Sequence, residues 1–288
     1  MEIIRASKLG FCFGVEEAIQ TVNSIIKNNN NKKTYVLGML VHNEKVISDF
    51  EKKGVIFIDE QDIDSISNNS IVIVRAHGAT KNIYEKLSKK ELIVYDTACV
   101  FVKKSRELVE EKTKEGYKII VLGDVLHPEI KGIISFGKDI EIYENIDSFK
   151  TKFKNIYKKY FMIFQTTFNN DEYDLIVNFI NNNYDNIEIK KTICGATYER
   201  QKSVKELSSK VDVLLVVGGK KSSNTKKLYD ISKKINKNTY LITELNDLDK
   251  KVLKNAKSIG ITAGASTPKE SIEEIENKIK SIKFEEEE

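Results

Sequence analysis

A chain of 288 residues with three cysteines, at positions 12, 99 and 194, repeats one plan after each of them, at spacings of 87 and 95 residues. After Cys12, Val15, Ala18, Ile19, Val22 and Ile26 fall at helical spacing. The stretches after Cys99 and Cys194 are also polar and rich in helix formers. Each then gives way to an apolar run, TYVLGML, KIIVLGD or DVLLVVGG, that enters a polar loop, VHNEK, LHPEI or KKSSNTK. A second run follows in each copy, GVIFID, IEIYEN or TYLITE. A third, in IVIVRAHGAT, FMIFQTTFNN or SIGITAGAST, leads into another polar loop. Self-similarity at a fixed period limits the chain to an architecture built from copies of one unit.

Short Val- and Ile-rich runs alternating with helical stretches are the pattern of parallel sheets covered by helices. The reading is therefore an α/β protein of three similar modules with mainly parallel sheets, spanning residues 13–97, 98–192 and 193–282. EIIRAS at the N-terminus plays the part that LIVYDT and EIKKT play before Cys99 and Cys194, so residues 1–12 are expected to pack with the third module. Residues 283–288 read as an acidic, solvated tail. Ligands of open parallel sheets bind beyond the carboxyl ends of the strands, where the polar loops lie. Three modules around a pseudo-threefold axis would bring three cysteines and six loops to one centre.

Composition removes several classes of function. No stretch approaches the roughly 18 apolar residues of a membrane span, and MEIIRASKLG lacks the basic region and apolar core of an export signal. A cytoplasmic location and no membrane partner are the expectation. The net charge is +4 and the lysines are scattered, so nucleic acid is not implied. The Asn-rich stretches at 28–31 and 181–186 read as surface turns. Three cysteines are too few for a disulfide framework, and read as thiols or metal ligands. The histidines, His42, His77 and His127, and both prolines, Pro128 and Pro268, all stand in strand-end loops, where a purely structural placement would scatter them.

Three thiolates can hold zinc with one open position, or three irons of a cubane cluster with the fourth left open. Their separation matches no short metal motif, so the case rests on the repeat. Buried structural thiols, or a zinc-stabilised binding module with a histidine as fourth ligand, would use the same residues. KKSSNTKK and TAGASTP suit phosphate oxygens held by backbone N–H, Ser and Asn, although Ser and Asn also serve as ordinary helix caps. In LHPEI, His127 and Glu129 form a possible proton-donor pair or a solvated surface feature. QTT adds two hydroxyls that equally suit turn capping.

In order along nearly the whole chain, GFCFGVEEAI, VHN, RAHG, DTAC, HPE, QTT, TICGATYERQ, KKSSNT and TAGAST resemble the motifs of the IspH or LytB family, the 4-hydroxy-3-methylbut-2-enyl diphosphate reductases of the non-mevalonate isoprenoid pathway. Two departures stand out: ACVFV lacks a proline often found after the second cysteine, and LGDVLHPE replaces a Gly- and His-containing lead-in. The resemblance implies a central 4Fe–4S cluster held by Cys12, Cys99 and Cys194, with the fourth iron open to the substrate's hydroxyl. It implies that His42, His77, Ser222, Asn224 and Ser266, with Ser223 close by, hold the diphosphate. His127, Glu129 and Thr166 would surround the reacting hydroxyl, Glu129 supplying protons. It also implies an electron donor such as ferredoxin or flavodoxin, and the products isopentenyl and dimethylallyl diphosphate. Some relatives continue into RNA-binding domains beyond such a segment.

Overall fold

The computed structural model describes residues 1–29 and 31–282. The expected acidic tail, 283–288, lies outside them, as does Asn30 of the first Asn-rich stretch. The chain opens with β1 (Glu2–Arg5). There follow α1 (Phe13–Asn28), β2 (Thr34–Leu37), α2 (Glu44–Glu51), β3 (Ile56–Ile58), β4 (Ile71–Val74), α3 (Lys81–Ser88) and β5 (Ile93–Asp96). The next copy comprises α4 (Val100–Lys114), β6 (Lys118–Leu122), α5 (Pro128–Ile134), β7 (Glu141–Tyr143), α6 (Ile146–Lys152), β8 (Tyr160–Phe164), α7 (Asn170–Asn183) and β9 (Ile187–Ile189). The last runs through α8 (Gly195–Ser208), β10 (Val213–Val217), α9 (Ser223–Ile235), β11 (Thr239–Ile242), β12 (Ser258–Ala263) and α10 (Lys269–Lys280).

The strands form three four-stranded sheets, ordered β3-β2-β4-β5, β7-β6-β8-β9 and β11-β10-β12-β1. Every strand pairing among the described residues is parallel. The α/β class and the three similar sheets are as the repeat predicts. In the third sheet β1 takes the outer position that β5 and β9 take in theirs, with Glu2 opposite Ser258 and Arg5 opposite Ile261.

By contacts the described residues fall into two compact units. One comprises Met1–Phe13, His42–Val46 and the described residues from Gly195 on; the other comprises Gly14–Val41 and Ile47–Cys194. In the first unit all five residues of β10 are buried. Side chains of successive strand residues point to opposite faces, so a strand buried on both sides needs helices on both sides. Val213, Leu215 and Val217 pack with Ile272, Ile275 and Ile279 of α10, while Leu214 and Val216 pack with Val204 and Leu207 of α8 and Leu228 and Ile231 of α9. The second unit holds the other two sheets. There Ile119, Val121, Phe161 and Ile163 pack against Val102 and Val109 of α4 and Ile130 and Ile133 of α5. The opposite face of β6 and β8 packs Phe149, Ile176 and Ile180 against Ile120, Leu122, Met162 and Phe164. No helix among the described residues is long and apolar enough to cross a membrane.

Central strands set where every strand-end loop begins, so their burial should dominate stability. Ile261→Ala, at a fully buried position of β12, is expected to cost about 2–5 kcal/mol in reversible denaturant unfolding. Leu175→Ala on the exposed side of α7 should stay within about 0.5 kcal/mol. Equal effects would contradict this distribution of the core.

Candidate active site

In the first unit the site starts from Cys12, directly before α1 in the chain. Its N–H donates to the carbonyl of Ala265 at 3.2 Å. The next residue, Ser266, donates its hydroxyl to the carbonyl of His42 at 3.3 Å. A Cβ on Gly219 would stand 2.5 Å from that same carbonyl, so only glycine lets the loop after β10 approach it this closely. Three residues on, Ser222 caps α9 by accepting the Thr225 N–H at 3.3 Å. That bond leaves the Ser222 hydroxyl hydrogen available to a ligand, so capping and ligand binding are compatible.

Asn224 is buried, and its Nδ2 has no partner among the described residues; the same holds for Thr225 Oγ1. A buried polar group left unpaired costs about 1–3 kcal/mol. An acceptor-rich ligand at the start of α9, where backbone N–H groups and the helix dipole favour negative charge, would remove that cost for the Asn224 donor. Ser223, the first residue of α9, is half-buried beside it.

In the second unit Cys99 is the N-cap residue of α4, and its N–H donates to Ala76 at 2.9 Å. A Cβ on Gly14 would come within 2.6 Å of the Cys99 sulfur, so the glycine of FCFG leaves room for that thiol. The residue after Ala76 is His77, whose ring meets that of His127 edge-on, centroids 5.3 Å apart. His127 caps α5: its Nδ1 accepts the Glu129 N–H at 3.1 Å. In the neutral imidazole the proton therefore sits on Nε2.

Glu129 is 2% exposed and His127 7%, which rules out a solvated surface pair. One carboxylate oxygen of Glu129 accepts the Thr166 N–H and the other the Thr166 hydroxyl, both at 2.7 Å. Burial pushes the Glu129 pKa up, and the two bonds from Thr166 pull against it without cancelling it. Thr166 in turn accepts the Cys194 N–H on its carbonyl at 3.1 Å, and Cys194 directly precedes α8. A continuous path thus runs from Cys99 through the loop of His77, then His127, Glu129 and Thr166, to Cys194.

The expected site residues divide between the units. Cys12, His42, Ser222, Ser223, Asn224 and Ser266 belong to one; Cys99, Cys194, His77, His127, Glu129 and Thr166 belong to the other. Two supporting residues were not singled out by sequence reasoning. Gly14 is one, although its place two residues after Cys12 was a signal. The other is Gln165, the first residue of QTT, whose side-chain oxygen accepts the Asp124 N–H at 3.0 Å and ties the ends of β6 and β8 together just before His127. Its position immediately after a buried strand was the available cue.

The family model described as LytB protein matches residues 3–280. A 4-hydroxy-3-methylbut-2-enyl diphosphate reductase of Fusobacterium nucleatum subsp. nucleatum is 46% identical over 286 residues, covering 98% of this chain and 34% of that protein. The chain thus spans about a third of that relative's length. The protein of the same name from Caldanaerobacter subterraneus subsp. tengcongensis is 39% identical over 294 residues, covering 100% of this chain and 99% of its own. Among solved structures, the E-1-hydroxy-2-methyl-but-2-enyl-4-diphosphate reductase of Plasmodium falciparum superposes with a TM-score of 0.89 at 35% identity, covering 96% of this chain and 87% of that one.

The raised pKa of Glu129 has a consequence for stability. A carboxyl whose folded value lies above its unfolded one stabilises fully below the unfolded value, and that contribution is lost as pH rises through the folded value. Gln keeps the neutral shape at every pH and can both donate to and accept from Thr166. Glu129→Gln should therefore gain stability relative to the parent as pH rises above the ordinary carboxyl range. Parallel stability curves would refute the burial-driven shift.

Proposed function

The chain belongs to the LytB family, and from that membership we propose that it is a 4-hydroxy-3-methylbut-2-enyl diphosphate reductase, which removes the substrate's hydroxyl reductively to give isopentenyl and dimethylallyl diphosphate. The balance is simple. The C–O bond breaks, two electrons and two protons enter, water leaves, and the remaining allylic carbon skeleton is protonated at one end or the other. The observation that carries the reading is the path from Cys99 to Cys194, with a buried carboxyl at its middle.

The cysteines suit a 4Fe–4S cluster. None is in a disulfide, each directly precedes a helix, whose N-terminal end favours an anionic group such as a thiolate-bound cluster, and Gly14 leaves space at the Cys99 sulfur. We assign Cys12, Cys99 and Cys194 as its three protein ligands. When bound, such a cluster supplies the electrons and one iron open to substrate.

The chain's own residues do the rest. Ser222, Ser223, Asn224 and Ser266, with His42 and His77, hold the diphosphate through N–H and O–H donors. Asn224 contributes a buried donor whose cost an anionic oxygen offsets. Glu129, buried and with its pKa raised by that burial, supplies a proton and passes it through the Thr166 hydroxyl. His127, its Nδ1 engaged by the Glu129 N–H, keeps Nε2 as a second donor to the reacting hydroxyl. Electrons would come from a small carrier such as ferredoxin or flavodoxin, and the setting would be the cytoplasm.

The test is anaerobic purification with iron and acid-labile sulfide analysis, followed by turnover with a strong artificial reductant. We expect close to four irons and four sulfides per chain. Cys99→Ser should lose both cluster and turnover. Glu129→Gln should keep the iron and still bind substrate, yet lose about 10²–10⁴ in kcat. A colourless protein with about one zinc and no sulfide would refute the reductase. Near-normal turnover by Glu129→Gln would remove it as proton donor.

A further inference from the structure

Arg200, six residues after Cys194, is a buried cation on α8, 6% exposed. One guanidinium nitrogen donates to the carbonyl of Ala196, the preceding turn of its own helix, at 3.0 Å. The other nitrogen reaches across to the chain's first loop, donating to the carbonyls of Gly10 at 2.7 Å and Phe11 at 2.9 Å. Those are the two residues immediately before Cys12. The same loop is held from another side, where the Gly10 N–H donates to Ala263 at 3.4 Å and the Cys12 N–H to Ala265 at 3.2 Å.

We propose that Arg200 is a positioning residue for Cys12: its guanidinium, held to α8 by one nitrogen, clamps the carbonyls of Gly10 and Phe11 with the other and so fixes the backbone that presents the thiol to the cluster. The proposal rests on the cluster reading above for the purpose of the clamp, but the clamp itself is a property of the protein's first unit. Because the guanidinium is planar, the bond of its first nitrogen to Ala196 fixes the direction in which the second presents its two charge-assisted bonds to the successive carbonyls. The strand before Cys12 stops well short of it. β1 ends at Arg5, and residues 6–12 reach the thiol as irregular chain. A ligand on a loose loop would pay an ordering cost whenever it bound metal. Arg200 meets that cost during folding.

The experiment follows amide hydrogen exchange, resolved by peptide, on the full-length protein as purified anaerobically, together with the rate at which a chelator removes its metal. Arg200→Met should raise exchange at Gly10 and Cys12 by about tenfold or more, the scale expected on losing charge-assisted bonds, while Leu214–Val216 of β10 remain protected. Metal should be stripped correspondingly faster. Arg200→Lys keeps the charge without the second nitrogen that anchors it on Ala196, and should fall between parent and Met variant; it also keeps the test open if the Met variant does not fold. Unchanged exchange at Gly10 and Cys12 in Arg200→Lys, or exchange rising only within α8, would overturn the clamp and leave Arg200 as a helix-packing residue. The failure of the cluster reading is separately visible. If the parent protein carries no iron, that reading falls, while the exchange result still decides whether Arg200 orders the loop.

Discussion

Parallel strand pairing is the constraint on which the rest depends. When β10 lies parallel to β12, with Val213 opposite Ile259 and Val217 opposite Ala263, both strands deliver their following loops to the same edge. The pairing of β6 with β8, Lys118 opposite Tyr160 and Leu122 opposite Phe164, does the same for the loops carrying Glu129 and Thr166. An antiparallel neighbour would send one loop of each pair to the far side of its sheet. Parallel pairing also demands a crossover between strands, and the helices that supply it start where the loops end. Within each sheet, capping residues, cysteines and hydroxyls are therefore drawn to one rim by geometry before any chemistry selects them.

Much of this was legible because the repeat puts similar residues at similar places. The Val- and Ile-rich runs announced strands, and the polar loops after them announced a ligand-binding edge. Cys12, Cys99 and Cys194 each stood before a helical pattern, and each does precede a helix. Burial of particular polar side chains was another matter. Nothing in HPE distinguishes a carboxyl at 2% exposure from one in water, because its surroundings include partners such as Thr166, thirty-seven residues away in sequence. Nor does FCFG reveal that its glycine faces the sulfur of Cys99. Local pattern reports periodicity and turn chemistry; it is silent on contacts between distant loops.

The capping residues show how structural and functional demands coincide. Ser222 and His127 both cap helices, and each does so with an acceptor atom that leaves a donor hydrogen uncommitted to the cap. A cap need not compete with ligand binding when the side chain has two faces. Asn224 sits two residues further in than Ser222, where the helix itself gains little from an amide. Its buried Nδ2 without a described partner costs stability, a price that proteins pay at sites selected for something other than folding.

Thr166 carries three bonds at once: its N–H and hydroxyl go to Glu129, and its carbonyl receives the Cys194 N–H. The three bonds leave from separate parts of one residue, its N–H, its side chain and its carbonyl, so Thr166 behaves as a rivet joining two segments. Removing the hydroxyl alone would spare the two backbone bonds, so the tie between the segment before α8 and the start of α5 has redundancy built into a single residue.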